Sequence, residues 1–123
     1  MIRKEEKWKM NEDFIKALYK SIVIENLKLY NELFTTINVN ENTDEYWVEA
    51  IDLYSSLSEE KKQTLMKIIK QTMIDTISNV LGVIDGNSTL DNFSKELTLY
   101  VEKMENDGEL QDLFLEYIEE INE

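Results

Sequence analysis

Cysteine, histidine and proline are absent from this sequence of 123 residues, and glycine occurs only three times. Without cysteine the chain has no disulfide framework, no thiol nucleophile and no thiolate metal ligand. Without histidine it lacks the commonest general base and metal ligand, so Ser-His-Asp and Cys-His catalytic arrangements are excluded within the chain. We therefore expect no cofactor, no metal site and no catalytic residue, and an enzyme is the less favoured class of function.

Long apolar runs are also missing. No segment reaches the ~18 consecutive apolar residues of a membrane span. The first residues, Met1–Lys9, are charged and have no apolar stretch behind them, unlike a secretory signal. These absences predict a cytoplasmic protein without membrane contact. Lysine, asparagine, isoleucine and glutamate are frequent, a bias typical of an AT-rich bacterial genome.

Acidic residues dominate the charge, with 26 acids against 13 bases and a formal net charge of −13. The excess lies mostly in residues 85–123, which hold twelve acids and two bases. Such a chain is repelled by phosphate backbones and anionic lipids, so direct nucleic-acid binding is disfavoured. The charge favours a basic protein as partner. The alternative is that the charge only keeps the protein soluble.

The apolar residues, in contrast, recur with helical spacing along most of the chain. This periodicity predicts an all-α protein, a compact bundle of about five amphipathic helices in a single domain of residues 1–123. Residues 1–10 are expected to be a frayed or extended start of the first helix. The wide apolar stripes leave a homodimer open. The helices are expected over residues 12–34, 44–57, 59–85, 90–104 and 110–121.

Capping residues support these boundaries. Asn11 and Ser58 are plausible N-caps, since both side chains accept hydrogen bonds from backbone N–H groups. Gly86 suits the left-handed position after a helix end. Ser88–Asp91 resembles a capping box and predicts the start of the helix over 90–104.

The same turn resembles a calcium-binding loop by ligand count alone. Oxygen-bearing side chains stand at positions one, three, five and twelve of an EF-hand register: Asp85, Asn87, Thr89 and Glu96. Position six, which requires glycine for a sharp turn, is Leu90. We therefore interpret the turn as a connection between two helices.

The helix expected over 44–57 carries the first set of candidate partner-binding residues, Tyr46, Trp47 and Tyr54. Aromatic residues among carboxylates are typical of interface hot spots, and they are also typical of a helix core. Because the apolar residues of this helix fall on two faces, we expect one face to pack internally and the other to meet a partner.

The second set is a polar lane on the helix over 59–85. Gln71, Asp75, Asn79 and Gly82 share one face by their spacing. Glycine inside a helix costs about 1 kcal/mol relative to alanine, so Gly82 requires a reason. Either a neighbouring helix packs closely there, or a ligand or partner contacts Asp75 and Asn79.

Two segments, residues 75–86 (DTISNVLGVIDG) and 110–116 (LQDLFLE), resemble small acidic bacterial proteins of uncharacterised families. Some small proteins of this general type are immunity proteins, which bind and neutralise a toxin in the same cell. The resemblance covers about a sixth of the chain and implies no activity and no functional residues.

These observations lead to three hypotheses. The first is a non-catalytic acidic protein-binding module, such as an inhibitor or immunity-type protein. The second is a small-molecule-binding protein or enzyme that uses the polar lane of Asp75, Asn79 and Gly82. The third is an inhibitor that mimics the charge of a nucleic acid.

Overall fold

One long helical rod begins the chain. In the computed structural model, which describes residues 3–122, α1 (Lys4–Leu18), a π-helical segment (Tyr19–Ile24) and α2 (Glu25–Thr36) follow one another without a break. The helix predicted over 12–34 is therefore confirmed, and it extends further at both ends. Residues 1, 2 and 123 of the predicted domain lie outside the described part.

Most of the remaining chain is also helical. Helix accounts for 69% of the described residues, in agreement with the predicted all-α class. Ser58 caps the longest helix as predicted, because its side chain accepts a hydrogen bond from the Lys61 N–H at 3.2 Å. The later elements are α3 (Glu45–Ser56), α4 (Glu59–Ile84), the strands β1 (Tyr100–Val101) and β2 (Met104–Glu105), and α5 (Leu110–Ile121).

The π-helical segment lies where the long rod changes its packing partners. Tyr19 and Val23 of this segment are buried, with 7% and 0% of their surface exposed. A π turn inserts one extra residue and rotates the face that follows. α1 packs against α5, the π segment against α4, and α2 against α3 and α4. This change of partner explains why the apolar residues of the rod cover more than one face.

The predicted N-cap at Asn11 is wrong. Asn11 lies inside α1 with 3% of its surface exposed, and its Oδ1 accepts a hydrogen bond from Asn106 Nδ2 at 3.0 Å. The helix continues toward the N-terminus instead, and begins at Lys4. Glu5 and Glu6 in its first turn favour this start, since carboxylates stabilise the positive end of a helix.

The main apolar core lies between α1, the π segment, α4 and α5. Leu110 and Phe114 of α5 are fully buried, which stabilises the fold by about 1.5–3 kcal/mol for each side chain. α3 contributes no residue to this core and packs against α2 instead. The buried core residues are Ile15, Tyr19, Val23, Ile74, Leu81, Leu110, Phe114 and Ile118.

The helix predicted over 90–104 is wrong. This segment has an isolated bridge between Leu90 and Phe93, followed by the β1–β2 hairpin. Asn92 and Glu102 have φ angles of 61° and 56°, which a right-handed helix excludes. Helices in proteins depend on burial of their apolar face, and this segment instead packs Leu99 inward, a residue outside the predicted stripe.

Candidate functional site

The inner face of α3 forms an aromatic cluster with α2. The Trp47 ring lies 6.0 Å from that of Tyr30 and 6.4 Å from that of Phe34. Tyr54 stacks on Phe34 with ring centroids 4.7 Å apart and planes within 7° of parallel. Each such pair adds about 0.5–1.5 kcal/mol beyond burial of its area. Of the predicted partner-binding residues, Tyr54 is therefore buried and Trp47 is half-buried.

The outer face of α3 has no intramolecular cover at its two large apolar residues. Tyr46 is 59% exposed and Leu53 is 54% exposed. Their spacing places them on one face, with the half-buried Ala50 between them and Leu57 beyond. We call Tyr46, Ala50, Leu53 and Leu57 the outer α3 face. The Tyr46 ring meets the Trp47 ring edge to face at 5.1 Å, so the exposed ring rests on the inner cluster.

Unpaired carboxylates flank the outer α3 face. Glu45, Glu49 and Asp52 are all exposed. None of them takes part in an ion pair with another residue among 3–122. An apolar stripe beside free carboxylates matches the composition of a contact surface for a partner with apolar and basic side chains.

The polar lane of α4 is divided between surface and interior. The Gln71 Nε2 donates a hydrogen bond to Asp75 Oδ1 at 2.8 Å, so these two side chains satisfy each other. Asn79 is exposed, whereas Gly82 is buried. The lane is therefore an open helix surface at its first three positions and a contact between helices at the fourth.

Gly82 is explained by the neighbouring helix. A Cβ atom at this position would lie 2.8 Å from Nε2 of Gln111, which projects from α5. The Gln111 Nε2 donates to the backbone carbonyl oxygen of Ser78 at 3.0 Å and lies 3.3 Å from Ser78 Oγ. The missing side chain of Gly82 thus gives room to a polar link between α4 and α5, and Gln111 fills the space that a ligand would need.

Asp85, the first residue of the calcium-like register, serves α5. Its Oδ2 accepts a hydrogen bond from the backbone N–H of Gln111 at 2.7 Å, in the first turn of α5. Its Oδ1 is buried without a partner. Gly86 adopts the predicted left-handed conformation, with φ at 84°. Among residues 3–122 no group of three or more acidic side chains is close enough together to hold a metal ion.

A further exposed apolar surface lies in the segment between α4 and α5. Large apolar side chains here are about half exposed, although the sequence pattern predicts that they are buried along a helix. This surface lines a cavity of about 400 Å³ together with Asp85 and Lys95. The exposed residues are Leu90 at 51%, Phe93 at 44%, Leu97 at 44% and Tyr100 at 57%.

Sequence reasoning missed the residues that support the two candidate surfaces. Tyr30 and Phe34 back the aromatics of α3, but their helical spacing in α2 only indicates burial somewhere. Gln111 and Asp85 link α4 to α5, and the one available signal was the glycine inside α4. Periodicity gives the face on which a residue lies and leaves open which other element meets that face.

No protein-family model, curated protein or solved structure matches the chain. No helix within residues 3–122 combines the length and the apolar character that crossing a bilayer requires. The functional argument therefore depends on the geometry of the two surfaces described above.

Proposed function

We propose that this protein is a non-catalytic acidic protein-binding module, an inhibitor or immunity-type protein of the bacterial cytoplasm, built on the compact helical bundle that its sequence predicts. The observation that carries the proposal is the outer α3 face. Two large apolar residues, Tyr46 and Leu53, lie exposed on one rigid helix beside three carboxylates without ion pairs.

The outer α3 face has the physical features of a binding anchor. Tyrosine is enriched among the residues that contribute most to interface energy, because a rigid ring buries a large area at low conformational cost. The Tyr46 ring is supported from behind by Trp47, and Trp47 in turn contacts Tyr30 and Phe34. This support orients the exposed ring before a partner arrives, which lowers the entropy lost on binding.

Charge favours a basic partner for this surface. The chain has a formal net charge of −13, so long-range attraction accelerates encounter with a basic protein and salt screens this attraction. The polar lane of α4 supports the alternative of a small-molecule site less well, because Gln111 occupies the space beside Gly82.

The test is affinity capture with matched variants as bait. Tyr46→Ser with Leu53→Ser removes the anchor from the outer α3 face. Ile68→Ser with Val80→Ser is the control, because these two α4 side chains are exposed to the same degree, 57% and 54%. Each bait is incubated with lysate of the source organism at low and high salt, and captured proteins are identified by mass spectrometry.

The proposal predicts a stoichiometric basic partner that the wild type and the α4 control retain at low salt. The α3 variant loses this partner, and so does the wild type at high salt. Recovery of the bait alone would contradict the proposal. Equal capture by the α3 variant and the α4 control would also contradict it, because the outer α3 face would then make no contribution.

A further inference from the structure

A groove between α1 and α5 combines aromatic rings with carboxylates. Trp8, which is 50% exposed, lies at the groove, and Tyr117 forms part of its wall. Glu12, Glu116 and Glu120 supply three carboxylates. The groove has a volume of about 120 Å³. A water molecule takes about 30 Å³ in the liquid, so the groove suits one side-chain head group and is too small for a whole helix.

The groove already holds one cation of the chain itself. The Lys16 Nζ lies 5.7 Å from the centroid of the Tyr117 ring and 2.6 Å from Glu12 Oε1. The hydrogen bond to Glu12 raises the pKa of Lys16, and the negative charge of Glu120 acts in the same direction. The groove therefore stabilises positive charge, and Lys16 compensates only Glu12.

Two carboxylates of the groove remain uncompensated. Neither Glu116 nor Glu120 forms an ion pair with any residue among 3–122. They are four residues apart on α5, where like charges repel by about 0.2–0.5 kcal/mol. Glu120 also lies in the last turn of α5, which contains no basic residue, and a carboxylate there is unfavourable beside the negative end of the helix. An incoming cation would relieve both repulsions.

We propose that this groove receives an arginine side chain from a basic segment of a protein partner. The planar guanidinium stacks on the exposed indole of Trp8 and donates hydrogen bonds to the carboxylates of Glu116 and Glu120. Arginine fits better than lysine because its donors form a flat fork that pairs with a carboxylate while its face lies on an aromatic ring.

This binding site is distinct from the outer α3 face and does not depend on it. The groove lies on α1 and α5, which pack against each other, whereas α3 packs against α2. A partner that uses both surfaces gains avidity, but either surface binds without the other. Failure of one proposal therefore leaves the other standing.

The two tryptophans of the chain provide a direct test. Trp8 lies at the groove and Trp47 lies in the aromatic cluster of α3, so their indole N–H resonances report the two regions in one NMR titration. The probe is a synthetic peptide of alternating alanine and arginine with blocked ends. A second peptide carries citrulline in place of arginine, which keeps the shape and removes the charge. The proposal predicts that only the arginine peptide shifts the Trp8 signal, and that the Trp47 signal stays in place.

Matched charge variants separate the groove from the general acidity of the protein. Glu116→Gln with Glu120→Gln removes two charges from the groove, and Glu49→Gln with Asp52→Asn removes two charges from α3. We expect the groove variant to weaken peptide binding by about tenfold, from lost ion pairs of about 0.2–1 kcal/mol each, and the α3 variant to weaken it by no more than about twofold. Circular dichroism confirms that both variants fold.

Three outcomes would overturn the inference. Equal loss of affinity in the two double variants would show that the peptide follows the net charge. Simultaneous shifts of both indole signals would show binding without a defined site. Equal binding of the citrulline peptide would show that the positive charge of the guanidinium is not recognised.

Discussion

The two surfaces that the sequence predicts for binding differ in what the fold does with them. The outer α3 face leaves Tyr46 and Leu53 more than half exposed. The polar lane of α4 instead ends at a buried contact, where the Gln111 side chain occupies the space beside Gly82. An unusual residue in a helix thus has two explanations, an external partner or an internal one. The two are distinguished by whether another element of the same chain already fills the position.

The largest expected effect comes from the inner face of α3, which sets the orientation of the outer one. Tyr54→Ala removes the ring that stacks on Phe34 at 4.7 Å, and we expect a loss of about 3 kcal/mol in the free energy of unfolding. Leu53→Ala on the outer face is the control and should change stability by less than about 0.5 kcal/mol. Urea denaturation of both variants measures the difference. Equal losses would mean that α3 does not have one packed and one free face.

The second effect concerns the contact at Gly82. Gly82→Leu should lower the free energy of unfolding by about 2 kcal/mol, because the larger side chain displaces Gln111 from the carbonyl oxygen of Ser78. Thermal and urea denaturation measure this loss. Binding of a partner at the outer α3 face should be unchanged.

A pair of alanine variants tests the cause of that loss. Gly82→Ala in the wild type places a Cβ atom 2.8 Å from Gln111 Nε2 and should not stabilise the protein. In a Gln111→Ala background the clash is gone, and the same change should stabilise the helix by about 1 kcal/mol. If Gly82→Ala stabilised both backgrounds equally, Gln111 would not be the reason for the glycine.

The smallest effect concerns a cation beside the aromatic cluster. The Lys62 Nζ lies 5.0 Å from the centroid of the Tyr54 ring. Lys62→Gln removes this attraction and should cost about 0.5–1 kcal/mol. The exposed neighbour Lys61 serves as control, and Lys61→Gln should have almost no effect on the urea midpoint. A similar shift in both variants would assign the loss to helix charge and not to the ring.

Local signals in the sequence were sufficient for much of the helical fold. Ser58 caps α4 and Gly86 ends it in the left-handed conformation, because both effects act over a few neighbouring residues. The two faces of α3 could also be predicted, since helical spacing separates Tyr46 and Leu53 from Ile51 and Tyr54. The partners of each face could not, because Phe34 and Gln111 reach their positions only through the packing of distant elements.

The failure at residues 90–104 has a physical reason that α5 makes clear. Both segments carry an apolar stripe with helical spacing. In α5 the stripe is buried, with Leu110 and Phe114 at 0% exposure, whereas Phe93 and Leu97 remain 44% exposed. Periodicity permits a helix, but burial of the stripe against another element supplies most of its stability. The sequence alone does not show which stripe finds such an element.

The most direct test of the account is hydroxyl-radical footprinting of the protein alone and with the captured basic partner. Tyr46 and Leu53 report the outer α3 face, and Ile68 and Val80 report α4 at similar initial exposure. The account predicts that the partner protects Tyr46 and Leu53 from oxidation and leaves the two α4 residues reactive. Protection of Ile68 and Val80 with unchanged oxidation of Tyr46 and Leu53 would contradict it.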